Sequence, residues 1–306
     1  MVPQRTLKGQ IAIHGVGLHT GDRARIRIVP APADSGIVFV RADLGGVEIP
    51  ASHEYVVSSS LATTVSMGGV SVATVEHLLA ALFGLGVDNA RIEVDGPEIP
   101  IVDGSAAPFV EAILTSGVVA QAAPRRVLSL SRPVAVRHGE RTVLALPSND
   151  LRISYAIDFA HPAIGYQAVT LRMDERVFAA SIAPARTFCL LRDVNAMRDS
   201  GLARGGSLDN ALVVGDDGVL NGELRFRDEF VRHKVLDLIG DLALAGAPLR
   251  AHVIVFKGGH RMHAALVRKI AERQVAAVGQ RLSPGTFERF AHLGRRLVPS
   301  PQVLTA

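Results

Sequence analysis

The chain has 306 residues, 48% of them hydrophobic, which is ample for packed cores in two domains and too apolar for a disordered chain. The net charge of +4 comes from scattered Lys and Arg; with 5% aromatics, no Trp and no zinc-finger or RNP pattern around the short basic clusters at 23–27, 125–126 and 295–296, a nucleic-acid partner is set aside and a basic pocket for a small phosphorylated ligand is favoured. A single cysteine, Cys189, excludes a disulfide framework and a Cys-rich zinc site; there is no apolar h-region at the start and no run near 18 apolar residues, so the expectation is a cytoplasmic protein without a transmembrane segment.

From the N-terminus, residues 10–14, 24–29, 36–41 and 90–94 read as strands with turns between them. Residues 15–21, GVGLHTG, resemble a phosphate cradle only superficially, since the Lys-Ser/Thr ending of a P-loop is missing; they read as a turn, with His14 and His19 as turn residues. Residues 74–85, TVEHLLAALFGL, form a helical run whose only ionisable members are Glu76 and His77, and 103–116 is a second helix that Asp103 or Ser105 can cap. Residues 118–126 lose periodicity and read as a linker, dividing the chain into units at 1–120 and 127–300.

The second unit repeats the order of strands and then helices. Strands are expected at 134–136, 142–146, 151–158 and 167–171, a helix from about 174, a helix over 228–244, a strand at 252–256, a Gly258–Gly259 turn and a terminal helix over 262–282. Leu151, Ile153, Tyr155 and Ile157 alternate as on a half-buried strand. Two copies of a layered unit are suggested, though no residue-level repeat supports them. Asp209, Asp216 and Asp217 lack the EF-hand pattern and read as turn residues.

The chemistry gathers on residues 228–244, DEFVRHKVLDLIGDLAL. From Val235 to Pro248 the only charges are Asp237 and Asp241, so the helix is apolar almost all round and must be buried. Positions four apart share a helix face, which aligns His233, Asp237 and Asp241 in one stripe, with Val231, Val235, Leu238 and Leu242 on the far side. Buried carboxylates need a cation, a partner or a metal. An isolated H-x-x-x-D is satisfied by ordinary ion pairs with arginine, but a second buried helix carrying Glu76 and His77 shifts the reading toward a hydrolytic metal site.

These residues sit in motifs that resemble one family over nearly the whole chain: QRTLKG from Gln4, GVGLHTG from Gly15, TVEHLLAAL from Thr74, EIPIVDGSAAPFV from Glu98, FAHPAIG from Phe159, ARTFCLLRDV from Ala185, FVRHKVLDLIGDL from Phe230 and KGGH from Lys257. The chain resembles the zinc-dependent UDP-3-O-acyl-N-acetylglucosamine deacetylases of lipid A biosynthesis. The resemblance implies an α+β fold of two similar two-layer sandwich domains, helices packed between sheets, and an active site at the domain interface. It implies His77, His233 and Asp237 as ligands of Zn²⁺, for which Fe²⁺ is also suited, Glu76 as general base, Thr187 as oxyanion stabiliser, His260 as proton donor and Asp241 as the group that keeps His260 cationic.

The same resemblance puts Lys234 and Lys257 beside an acylated UDP-sugar, Asp158 and Phe159 at its uridine end, and an insert around 188–206 along its acyl chain, with Leu61, Phe188, Leu190, Leu191, Val194, Met197 and Gly206 as contacts. A monomer is expected. After KGGH the family carries a small or hydroxyl residue, an apolar one and Asn, where this chain has Arg261, Met262 and His263; His260 keeps the donor role because it follows the Gly-Gly turn, and loss of His263 is expected to cost little. Two other readings share these residues: a non-catalytic nucleotide-sugar or acyl-chain binding protein, disfavoured by retention of Glu76, the ligands and His260, and a non-haem Fe(II) oxygenase, disfavoured by Glu76.

Overall fold

The computed structural model describes residues 2–281, with side chains described through Arg273. The expected helix end at 282, the unit end at 300 and Arg295–Arg296 lie outside the described residues. The fold is α+β. Strand Arg23–Pro30 shows how its sheets arise: Ala24, Ile26 and Ile28 are buried while the arginines between them face water. It belongs to a five-stranded sheet ordered Ile11–Val16, Arg23–Pro30, Ala90–Asp95, Ile37–Arg41, Val47–Pro50, in which only Ala90–Asp95 and Ile37–Arg41 run parallel.

The second sheet runs Val134–His138, Arg141–Pro147, Leu249–Phe256, Leu151–Asp158, Tyr166–Arg172, with the short strand Leu128–Ser129 alongside Leu249–Phe256. Its five main strands repeat the first sheet's arrangement: the fifth in sequence inserts between the second and third and is parallel only to the third. The repeat suggested by the order of elements is therefore present as topology. Residue identity carries no trace of it because a strand needs only alternation, which many sequences meet.

Among the described residues six α-helices accompany the sheets: α1 (Glu76–Gly84), α2 (Ala107–Ser116), α3 (Glu175–Val177), α4 (Leu191–Asp199), α5 (Glu229–Ala243) and α6 (His260–Arg281). α2 starts four residues later than the sequence suggests, because Asp103 Oδ1 accepts the Ser105 N–H at 3.0 Å and Ser105 Oγ accepts the Ala107 N–H at 3.1 Å, forming turns ahead of the helix. α3 is one turn capped by Asp174 that passes into a π turn, Phe178–Ile182. The expected linker is corrected: Val118–Pro124 is a strand paired antiparallel with Pro3–Leu7. A two-stranded ribbon with no fully buried residue in Val118–Pro124 leaves no alternation to read.

Two three-stranded sheets were also not anticipated: Val56–Ser59, Thr63–Met67 and Val70–Val72 ahead of α1, and Phe188–Leu190, Leu212–Gly215 and Gly218–Val219 around α4. Their strands are too short for a period to emerge. One hydrophobic cluster joins Ile26, Ile28 and Ile92 to Leu78 and Leu82 of α1, Leu236 and Ile239 of α5, and Ile153, Val253 and Val255 of the second sheet. α1 and α5 lie against each other at its centre. Their approach depends on Gly240, where an added Cβ would stand 2.1 Å from the Glu76 carbonyl oxygen. No helix among the described residues is long and apolar enough to cross a membrane.

Candidate metal centre

That close approach brings the charged stripe of α5 to the first turn of α1. His77 Nε2 lies 3.8 Å and His233 Nε2 3.3 Å from Asp237 Oδ1, and all three side chains are at most 5% exposed. The two rings meet edge to face with centroids 5.1 Å apart. His233 Nδ1 donates to the Ala185 carbonyl at 3.1 Å, which leaves its Nε2 lone pair facing Asp237. Burial holds His77 down to about 3, with His233 adding to the effect, and burial also lowers His233, so both rings are neutral and able to ligate. Asp237 is ionised: burial works against its charge, but Lys234, His233 and His260 hold it well below the usual carboxylate range.

Asp237 divides its oxygens. Oδ1 faces the two imidazoles, while Oδ2 accepts from Lys234 Nζ at 2.5 Å. Lys234 is thereby paired inside the buried helix, as expected for a charge that could not remain alone there. Three carboxylates, Glu76, Asp237 and Asp241, face two cations, Lys234 and His260, and the two neutral imidazoles add donors without charge. The donor set therefore fits a divalent cation.

Glu76 and His260 flank this group. Glu76 Oε2 accepts the Thr63 N–H at 3.0 Å, and its Oε1 lies 3.8 Å from His260 Nε2. Burial, with Asp237 and Asp241 contributing and His260 opposing, pushes Glu76 up to about 7. Burial would lower His260, but Asp241 and then Asp237 overcome it and raise the ring to about 9. Its Nδ1 donates to Asp241 Oδ2 at 2.8 Å, while Nε2 lies 3.8 Å from both Glu76 Oε1 and Asp237 Oδ2 and so faces the site. Burial works against charge on Asp241, yet His260 foremost brings it down to about 2.

His263 does not enter this space. It is fully buried, its Nδ1 on Asp241 Oδ2 at 2.9 Å and its Nε2 on the Tyr155 hydroxyl at 3.1 Å, so of the two histidines only His260 faces Glu76. On either side of the site the backbone passes through a left-handed conformation: Thr74 at φ 58 before Glu76, and Lys257 at φ 53 before the Gly-Gly turn. Such residues cost on the order of 1–3 kcal/mol each and persist only where their surroundings hold them. Thr74 is held by its hydroxyl on Glu98 Oε1 at 2.7 Å.

Thr187 follows Ala185 closely, its backbone bonded to the Gly104 carbonyl and the Leu212 N–H at 2.8 Å each. Phe188 leads outward, its ring 6.3 Å from His233 and 5.5 Å from Phe159. Lys257 Nζ pairs with Asp158 at 2.9 Å and with Glu140 at 3.3 Å. Leu190 is buried in the core, whereas α4, with Leu191, Val194 and Met197, contains no buried residue, and Leu61 is exposed. Gly206 packs near Leu18, and the Gly205 N–H donates to the Leu18 carbonyl at 3.1 Å, so the insert is docked on the 15–21 turn. That turn is no phosphate cradle, because buried Glu98 takes the His19 and Thr20 N–H groups at 2.9 and 2.8 Å.

Sequence reasoning missed Thr63. Besides its N–H on Glu76, its hydroxyl donates to Asp241 Oδ1 at 2.6 Å, linking the two groups on either side of His260. It also missed Ala185, whose contribution is a carbonyl, and Tyr155, which alternation marked only as core. A threonine 13 residues from one partner and 178 from the other leaves no local pattern to find.

A buried imidazole pair and carboxylate, flanked by Glu76, whose Oε1 takes no hydrogen bond among the described residues, and by His260, raised to about 9, define a centre suited to metal-assisted hydrolysis. The family model described as UDP-3-O-acyl N-acetylglycosamine deacetylase matches residues 4–272. Proteins named UDP-3-O-acyl-N-acetylglucosamine deacetylase are similar along most of their length: that of Anaeromyxobacter dehalogenans is 49% identical over 92% of this chain and 93% of its own, and that of Myxococcus xanthus 52% identical over 87% and 86%. The relative from Acidithiobacillus ferrooxidans is 48% identical over 90% of this chain and 92% of its own. The chain belongs to this deacetylase family, which is a family of metalloenzymes.

Proposed function

We propose that this chain hydrolyses the N-acetyl group of UDP-3-O-[(R)-3-hydroxyacyl]-N-acetylglucosamine, releasing acetate and leaving the free amine, the committed step of lipid A biosynthesis. The observation that carries the reading is the convergence of ligand atoms from His77, His233 and Asp237 within 4.8 Å of one another, with Glu76 and His260 facing the same space. Zn²⁺ is the ion proposed, and Fe²⁺ suits the same donors. Held by these three residues, it supplies a Lewis acid for the acetamide carbonyl and brings the pKa of water toward neutrality.

The chain's own groups do the rest. Glu76 Oε1, which has no hydrogen bond to Thr63, takes the proton of the attacking water, and His260, kept cationic by Asp241, gives a proton from Nε2 to the leaving nitrogen. The Thr187 hydroxyl donates to the developing oxyanion, and Lys234 adds positive charge beside it. Lys257, Asp158 and Phe159 hold the nucleotide end. The acyl chain follows Phe188, Val194, Leu61 and Gly206, a route supported by the exposed Leu61 and the uncovered α4, whereas Leu190 is buried in the core and does not line it.

In this reading the unit at 1–120 contributes Glu76 and His77, and the unit at 127–300 contributes His233, Asp237 and His260, so the reaction takes place between two domains. A monomer is enough, since all these residues come from one chain, and the UDP-sugar substrate implies a cytoplasmic location. The test is metal analysis of the purified protein coupled to acetate release from the UDP-sugar before and after chelation. Release that needs no metal would refute the reading.

A further inference from the structure

One buried group beside the site has no part in the reaction above. His263 shares Asp241 Oδ2 with His260, at 2.9 and 2.8 Å, and its other nitrogen meets the Tyr155 hydroxyl at 3.1 Å. Tyr155 is 1% exposed, and among the described residues its hydroxyl bonds to no other group. A buried phenol has one proton to donate and needs an acceptor for it. Donation to His263 Nε2 leaves the ring proton on Nδ1, so His263 is a neutral imidazole that donates to Asp241. A doubly protonated His263 would set a second buried cation beside His260 and strand the Tyr155 proton; burial keeps His263 below its ordinary value even against Asp241.

The backbone is shaped for this contact. A Cβ at Gly258 would stand 3.0 Å from the Tyr155 hydroxyl and 3.3 Å from His263 Nε2, besides 2.3 Å from Val255 Cγ1, so the chain crosses the Tyr155–His263 pair without a side chain. Asp241 then receives Thr63 Oγ1 on Oδ1 at 2.6 Å and two imidazole N–H groups on Oδ2, which fixes its plane.

We propose that His263 is a positioning residue for the deacetylation: a neutral Nδ1–H donor, oriented by Tyr155, that holds Asp241 so that the His260 ring is aimed at the leaving nitrogen. The inference rests on the deacetylase reading and revises the expectation that His263 contributes little. Three measurements on the zinc-loaded protein test it. ¹⁵N-histidine NMR, assigned by difference against His263→Asn, should give His263 as a neutral ring protonated at Nδ1. His263→Leu should lower kcat for acetate release roughly 10- to 100-fold, the usual cost of losing a group that orients a site residue, with KM and zinc stoichiometry unchanged. His263→Asn, whose amide N–H can stand where Nδ1–H stands, should recover most of that loss.

An Nε2–H or cationic ring in the wild type overturns the proposal, as does wild-type kcat in His263→Leu, or an Asn variant as slow as the Leu variant. The NMR result stands even if His263→Leu fails to fold. A wild-type protein that releases no acetate overturns the deacetylase reading and the role with it, whereas an active wild type combined with any of the three adverse results overturns the role alone.

Discussion

Glu76→Gln separates a proton carrier from a metal ligand. The side chain is buried, with Oε2 on the Thr63 N–H at 3.0 Å and Oε1 toward His260. Glutamine has the same shape and keeps an oxygen for Thr63, but it cannot take a proton from water. A positioned general base contributes roughly 10²–10⁴-fold, about 2.7–5.4 kcal/mol of barrier, so kcat for acetate release should fall by that factor while metal stoichiometry, read by mass spectrometry, stays at the wild-type level. The substitution has a second consequence in the metal-free protein. Burial above all pushes Glu76 from 4.5 to about 7, so between those pH values the folded state holds a proton that the unfolded chain has lost, and stability falls as pH rises. That shift corresponds to on the order of 3 kcal/mol at 1.36 kcal/mol per pH unit, a loss that Gln does not suffer. Urea titrations near pH 4.5 and above pH 7 should therefore show the variant gaining on the wild type at the higher pH. Wild-type turnover would remove Glu76 from the mechanism, and loss of metal would make it a ligand.

Single replacements His77→Ala, His233→Ala and Asp237→Ala should each lower bound metal and activity while the far-ultraviolet spectrum stays native; full metal stoichiometry in all three would dismiss the site. The rate should rise with pH as Glu76 loses its proton near 7 and fall as His260 loses its proton near 9, and a bound divalent cation should move both limbs lower; a flat profile from pH 5 to 10 would argue against this acid and base. His260→Ala should lose more of kcat than His263→Leu, and the reverse order would misassign the donor. Gly240→Ala forces a Cβ to within 2.1 Å of the Glu76 carbonyl, so the helix pair must separate, costing about 1–3 kcal/mol in denaturant unfolding and weakening metal binding; an unchanged midpoint would refute the close packing.

The buried helix and its polar stripe were legible because α5 from Val235 onward obeys a simple rule: an apolar surface on every side, with charge only at Asp237 and Asp241. His77 was legible only as the odd residue in a second apolar run. The long strands could be read from alternation, as in Leu151–Asp158, where Ile153, Tyr155 and Ile157 are buried and the residues between them are less so. The Val118–Pro124 strand could not, because its pairing with Pro3–Leu7 joins residues more than a hundred positions apart on a surface ribbon. Thr63, Ala185 and Tyr155 escaped for a different reason. They act through a hydroxyl or a backbone carbonyl whose partner is set by tertiary approach, and neither spacing nor composition encodes that approach.

The repeated sheet order explains why the centre lies where it does. In each half a helix precedes the inserted central strand, α1 before Ala90–Asp95 and α5 before Leu249–Phe256, so the two helices occupy equivalent positions. Packed face to face, equivalent helices bring together surfaces that must both be apolar, and any charge left on them is buried by the pairing. The stripe His233, Asp237 and Asp241 on one helix and the Glu76–His77 pair on the other are such charges, each 4% exposed or less. Their cost is offset only when they compensate one another or hold an ion. Compensation is complete around Asp241, with three donors on two oxygens, and incomplete between His77, His233 and Asp237 Oδ1, where no hydrogen bond joins the three among the described residues. In the proposed reading the unmatched donors are the ones that would hold the metal, and the matched cluster beside them is what fixes the His260 ring.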